Sequence, residues 1–144
     1  MKTTLRNLLE AGLGVGLLFV CSAAIAVDAW PLPDPATAQP TDRGRYRIAS
    51  TSTIEPLAIN RIHAWVVHVA DARGQPVEDA DLAVTGGMPM HDHGLPTAPR
   101  MTRNLGGGNY LVEGMKFHMG GAWEVVLAVE GPHGTDSLTL HLIL

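Results

Sequence analysis

Apolar and polar residues alternate along most of this chain beyond residue 44, and no stretch there carries the spacing of an amphipathic helix. The clearest run is Ile59 to Ala70. On an extended backbone Trp65, Val67 and Val69 point one way, and Ala64, Val66 and His68 the other. Arg45 to Thr51 predicts a strand before it, and Asp81 to Thr85 one after it with Leu82 and Val84 on one face. Further strands are predicted over Thr97 to Arg103, Tyr110 to Met119, Trp123 to Glu130 and Asp136 to Leu144. The last two carry inward rows, Trp123/Val125/Leu127/Val129 and Leu138/Leu140/Leu142/Leu144. Asp71 to Pro76 and the glycine triplet Gly106 to Gly108 punctuate these runs as turns. The pattern predicts an all-β fold, an immunoglobulin-like antiparallel β-sandwich of about seven strands.

The chain before residue 44 reads differently. Residues 1–26 have the layout of an export signal: Lys2 and Arg6, an apolar run from Ala11 to Val20, then Ala24-Ile25-Ala26 as a cleavage pattern. Cleavage there starts the mature chain at Val27 and places it in the periplasm. The alternative is an uncleaved anchor in the inner membrane, because small and apolar residues continue from Cys21 to Val27; a membrane association is expected only in that case. Cys21 follows Val20, a poor fit to a lipoprotein signal. Residues 27–43 hold Pro31, Pro33, Pro35 and Pro40 and read as a semi-rigid linker, with Trp30 a tail aromatic. Residues 44–144 form the domain.

Composition removes several classes of function. Residues 27–144 contain no cysteine, which excludes disulfides, thiolate metal sites and cysteine nucleophiles in a cleaved protein. They carry 8 Lys plus Arg against 13 Asp plus Glu, with no basic stripe for nucleic acid. No HExxH run, nucleophile elbow or phosphate-cradling loop occurs, so an enzyme is not expected.

Two short stretches carry candidate chemistry. Gly87-Met-Pro-Met-His-Asp-His-Gly94 falls between predicted strands, and Met115-Lys-Phe-His-Met-Gly-Gly-Ala-Trp123 closes one strand and turns into the next. Loops of a sandwich gather at its two ends, so the two turns are candidates to meet. Met88, Met90, His91, His93, His118 and Met119 would then offer thioethers and imidazoles together. Thioethers select Cu(I), and imidazole serves both copper oxidation states and zinc. Copper is the expected ion, with Cu(I) favoured and Cu(II) accommodated by the imidazoles. Ligation needs neutral imidazole, so affinity should fall in acid. Asp92 could orient an imidazole by a hydrogen bond.

Other readings stand beside these. Leu111, Met115, Phe117 and Met119 share a parity, so Met115 reads as core, while Met119 is balanced between core and ligand. Adjacent residues on a strand face opposite ways, so His118 and Met119 act together only if Gly120 and Gly121 let the chain bend. Met88 and Met90 flank Pro89 in what reads as a loop with little core to fill. His63, His68, His133 and His141 read as structural or solvated, Met101 as core or surface, and Trp123 as a core anchor.

The Met-Pro-Met-His-Asp-His-Gly run, and the Gly-Gly-Gly-Asn-Tyr-Leu-Val-Glu-Gly-Met-Lys-Phe-His-Met-Gly-Gly-Ala-Trp run after it, resemble the YtkA-like domain family. The likeness extends over Asn60 to Leu144 and includes the related FixH-like proteins. It implies an exported immunoglobulin-like sandwich akin in architecture to periplasmic copper carriers. The FixH-like relatives imply a copper-receiving envelope protein or an oxidase assembly factor as partner. They keep an amino-terminal membrane helix, from which a cleaved chain departs. The expected function is therefore a copper carrier, buffer or metallochaperone. The alternative is a metal-free module that contacts an envelope or membrane protein through the same loops.

Overall fold

A computed structural model describes residues 29–144. The expected signal over residues 1–26, with its cleavage position, lies outside the described residues. Among the described residues nine strands form: β1 Gln39–Pro40, β2 Tyr46–Ser52, β3 His63–Asp71, β4 Asp81–Met88, β5 His93–Gly94, β6 Arg100–Gly106, β7 Asn109–Met115, β8 Ala122–Gly131 and β9 Gly134–Ile143. Every pairing is antiparallel. Hydrogen bonds run continuously in the order β1-β2-β3-β7-β6-β4-β8-β9, with β5 attached to β4. The link from β6 to β4 is a single pair, Ala83 opposite Arg100. The ladder therefore turns a corner there, folding one sheet into two facing layers. The fold is the expected all-β antiparallel sandwich, drawn nearly into a barrel.

The inward rows of both layers make the core. Trp65, Val67 and Val69 of β3 face the same apolar cluster as Leu82 and Val84 of β4 and Trp123, Val125, Leu127 and Val129 of β8. Burying each such large apolar side chain contributes about 1.5–3 kcal/mol. Tyr46 and Tyr110 sit in this core and keep their hydroxyls paired, to Gly134 O at 2.7 Å and Val77 O at 2.7 Å.

The strand count exceeds the expectation because β1 and β5 have two residues each, too few to show a period. A second difference bears on the site. β4 does not stop at Thr85 but continues through Gly86 and Gly87 to Met88. The glycines serve close approach: a Cβ on Gly86 would lie 2.8 Å from Glu124 O, and one on Gly87 2.7 Å from His93 O. A third difference is a bulge. Tyr110 and Val112 face the main core, whereas Leu111 faces outward into a second cluster with Ala64 and Val66. The register slips between Glu113 and Met115, where Gly114 adopts φ +88°. That slip turns Met115 and Phe117 inward, against the parity of Leu111.

The proline-rich segment, expected to stand off as a spacer, lies against the sandwich. Trp30 packs on the cluster of Ala64, Val66 and Leu111, with the Arg103 guanidinium 5.1 Å above its ring. β3 is apolar on both faces, so its outer face needs a cover. Pro33, Ala38 and Thr41 are buried along the same segment.

Asp136, also buried, fastens this segment down. It accepts hydrogen bonds from the Thr41 hydroxyl at 2.6 Å and from the amides of Arg43 and Arg45 at 3.1 Å. Burial pushes its carboxyl up, but those bonds and the Ser137 amide outweigh it and hold it at about 2, below the ordinary 3.8. The contribution is therefore complete above pH 3.8 and is lost as pH falls toward about 2. Asp136→Asn should cost roughly 1–3 kcal/mol at neutral pH. Urea midpoints measured down to pH 2 should show a weaker acid decline in the variant than in the parent.

Candidate functional site

The hairpin from β4 to β5 is closed by Met88 pairing with His93, and it leaves Pro89, Met90, His91 and Asp92 as its loop. The His91 amide donates to Met88 O at 3.0 Å, and Asp92 takes φ +53°, a left-handed position that aspartate tolerates. Asp92 is exposed and makes no hydrogen bond to either neighbouring imidazole. Its expected orienting role gives way to a turn role.

The second loop leaves β7 after Met115 and reaches β8 at Ala122. The Trp123 indole N–H closes it by donating to Met119 O at 3.0 Å, while its ring is buried edge-on to Phe117 with centroids 5.2 Å apart. Gly121 has φ +121°, and a Cβ there would lie 3.0 Å from Met88 Cε. Trp123 and Met88 together support this loop from beneath.

The two loops meet. The His91 and His93 rings stack with centroids 6.3 Å apart and 17° between planes. His93 stands edge-on to His118 at 6.1 Å, and His118 edge-on to Trp123 at 5.5 Å. The result is a file of three imidazoles ending on a buried indole. His91 and His93 are exposed, and His118 is half-buried. Nδ1 of His118 is fully buried and has no hydrogen-bond partner. A buried ring nitrogen left unpaired loses free energy unless a hydrogen-bond partner or an ion reaches it. Among the described residues no three His, Cys, Asp or Glu side chains already surround a common ion position.

The methionines separate into two kinds. Met90 is 84 % exposed and Met119 is 37 % exposed. Met88 is 2 % exposed and belongs to the core, as does Met115. This corrects the ligand reading of Met88. Strand β4 runs three residues further than its pattern suggests, and Met88 continues the inward series of Leu82 and Val84.

The other histidines are accounted for by structure or surface. Nε2 of His63 accepts from the Trp65 indole N–H at 3.2 Å, which assigns the proton to Nδ1, 3.1 Å from Arg61 O. Burial pushes the His63 imidazole below its ordinary value, so it stays neutral with both nitrogens engaged. His68 is buried beside Asn109, with Nδ1 3.2 Å from Oδ1, because the outer face of β3 is covered. His133 packs on the Tyr46 ring in an exposed turn, and His141 lies 3.5 Å from Glu124 on the surface.

His93 also lines an open groove of about 350 Å³ beside the hairpin, with Asp92, Glu124, Val126 and the bare backbone of Gly86 and Gly87. Among the described residues no helix is long and apolar enough to cross a membrane.

The YtkA-like family model matches residues 43–128, more than half of the chain, and the chain belongs to that family. No curated protein and no solved structure matches it.

Proposed function

We propose that this YtkA-like protein is an exported periplasmic copper-binding protein, a carrier or buffer that holds the ion as cargo at the meeting of its two Met/His loops. The observation that carries the reading is the file His91–His93–His118 with the unpartnered Nδ1 of His118 at its buried end. The donors suit the ion. Three imidazoles serve either oxidation state, and the exposed thioethers of Met90 and Met119 add preference for Cu(I). His118 supplies the fixed ligand, because Trp123 and the loop closure hold it in place. His91 and Met90 lie on the exposed hairpin loop, where their side chains are open to rotate toward the ion. Such an open rim suits an ion that must be taken up and passed on to a copper-receiving envelope protein.

Cu(I) titration of the purified protein against a competing chelator tests this. Affinity should fall at least about a hundredfold when His91, His93 and His118 are all replaced by alanine. Equal affinity in parent and triple variant would refute the reading.

A further inference from the structure

We infer that Met90 and Met119 form a paired oxidation site, through which hydroperoxides shift the preference of the proposed copper site from Cu(I) toward Cu(II). The inference rests on the copper reading above and names a regulation of that same site. Each methionine precedes or follows a histidine of the file, Met90 before His91 and Met119 after His118. Both residues are exposed, while Met88 and Met115, on the same two stretches, are sealed in the core. Met101 is partly buried against that core. Among the described residues, exposure therefore directs oxidation first to the two methionines beside the imidazoles, and leaves the packing beneath them intact.

The step balances without the metal. A sulfur lone pair attacks the terminal oxygen of a hydroperoxide and the O–O bond breaks. The oxygen stays on sulfur as the sulfoxide, and water or an alcohol leaves with the remaining proton. Sulfur is oxidised by two electrons and the peroxide is reduced by two. A soft thioether thus becomes a polar sulfoxide with a hard oxygen, a poor ligand for Cu(I). The imidazoles are untouched and keep Cu(II).

Hydrogen peroxide treatment of the purified protein, followed by peptide mass mapping, tests the site without any metal. Met90 and Met119 should gain one oxygen each before Met88, Met101 or Met115 gains any. Prior oxidation of one of those three overturns the assignment. Chelator competition with Cu(I) and, separately, Cu(II) then reads the consequence. Oxidised protein should lose at least about tenfold in Cu(I) affinity and retain Cu(II) affinity. Methionine sulfoxide reductase should restore the loss, and the Met90→Leu/Met119→Leu variant should match oxidised protein and ignore peroxide. Unchanged Cu(I) affinity after complete oxidation of both residues overturns the switch while leaving copper binding standing. Failure of untreated protein to bind either ion overturns the copper reading, and the switch with it.

Discussion

Met88→Ala should destabilise the protein by about 2–5 kcal/mol, while Met88→Leu should stay within about 1.5 kcal/mol of the parent and keep its copper affinity. Met88 is buried in the main core at the end of β4, and its Cε fills the space beneath Gly121. Removing the side chain opens a cavity under the loop that carries His118. Leucine refills most of that volume but supplies no sulfur. The pair of variants thus separates packing from ligation. Urea denaturation and chelator competition on the leucine variant decide between them. A loss of affinity without a loss of stability in Met88→Leu would show that the thioether leaves the core to bind.

The opposite signature is expected of His93. It is the middle ring of the file, within about one ring's reach of both His91 and His118, at 6.3 and 6.1 Å between centroids. Its side chain is exposed, and its strand pairing with Met88 uses backbone alone. His93→Ala should therefore change stability by no more than about 0.5 kcal/mol. It should lower copper affinity by about 10–100-fold, because the remaining imidazoles belong to different loops and lose the ring between them. Stability and Cu(II) affinity measured on the same preparation check both parts. A marked fall in unfolding midpoint would indicate that the ring braces the hairpin instead.

The contrast between these two residues also shows which physical signals a sequence carries. The long strands β8 and β9 were legible because alternating burial repeats along them, and the inward row of β8 stands where its period places it, while β3 was legible as a long apolar run. The meeting of the two Met/His loops was legible only as a consequence of sandwich topology, and the His93–His118 contact agrees with it. Met88 was not legible. The predicted strand ends at Thr85, whereas in the fold the missing side chains of Gly86 and Gly87 admit the backbones of Glu124 and His93 and the strand continues. The bulge at Gly114 hid the outward turn of Leu111 in the same way, since a slip of one residue reverses a parity count. Trp30 escaped because its cover of the outer face depends on Arg103, distant in sequence. The indole bond from Trp123 to Met119 O left one trace, the four-residue spacing around two glycines, and that spacing has many other meanings.

One end of the sheet carries a further consequence. β1 is two residues long and finishes in Pro40, directly beside Arg47 of β2. A proline has no amide hydrogen to offer a passing strand, and so short an edge gives little length on which to nucleate one. That margin is a poor template for edge-to-edge growth and leaves the ten-residue β9 as the edge on which a further strand could pair.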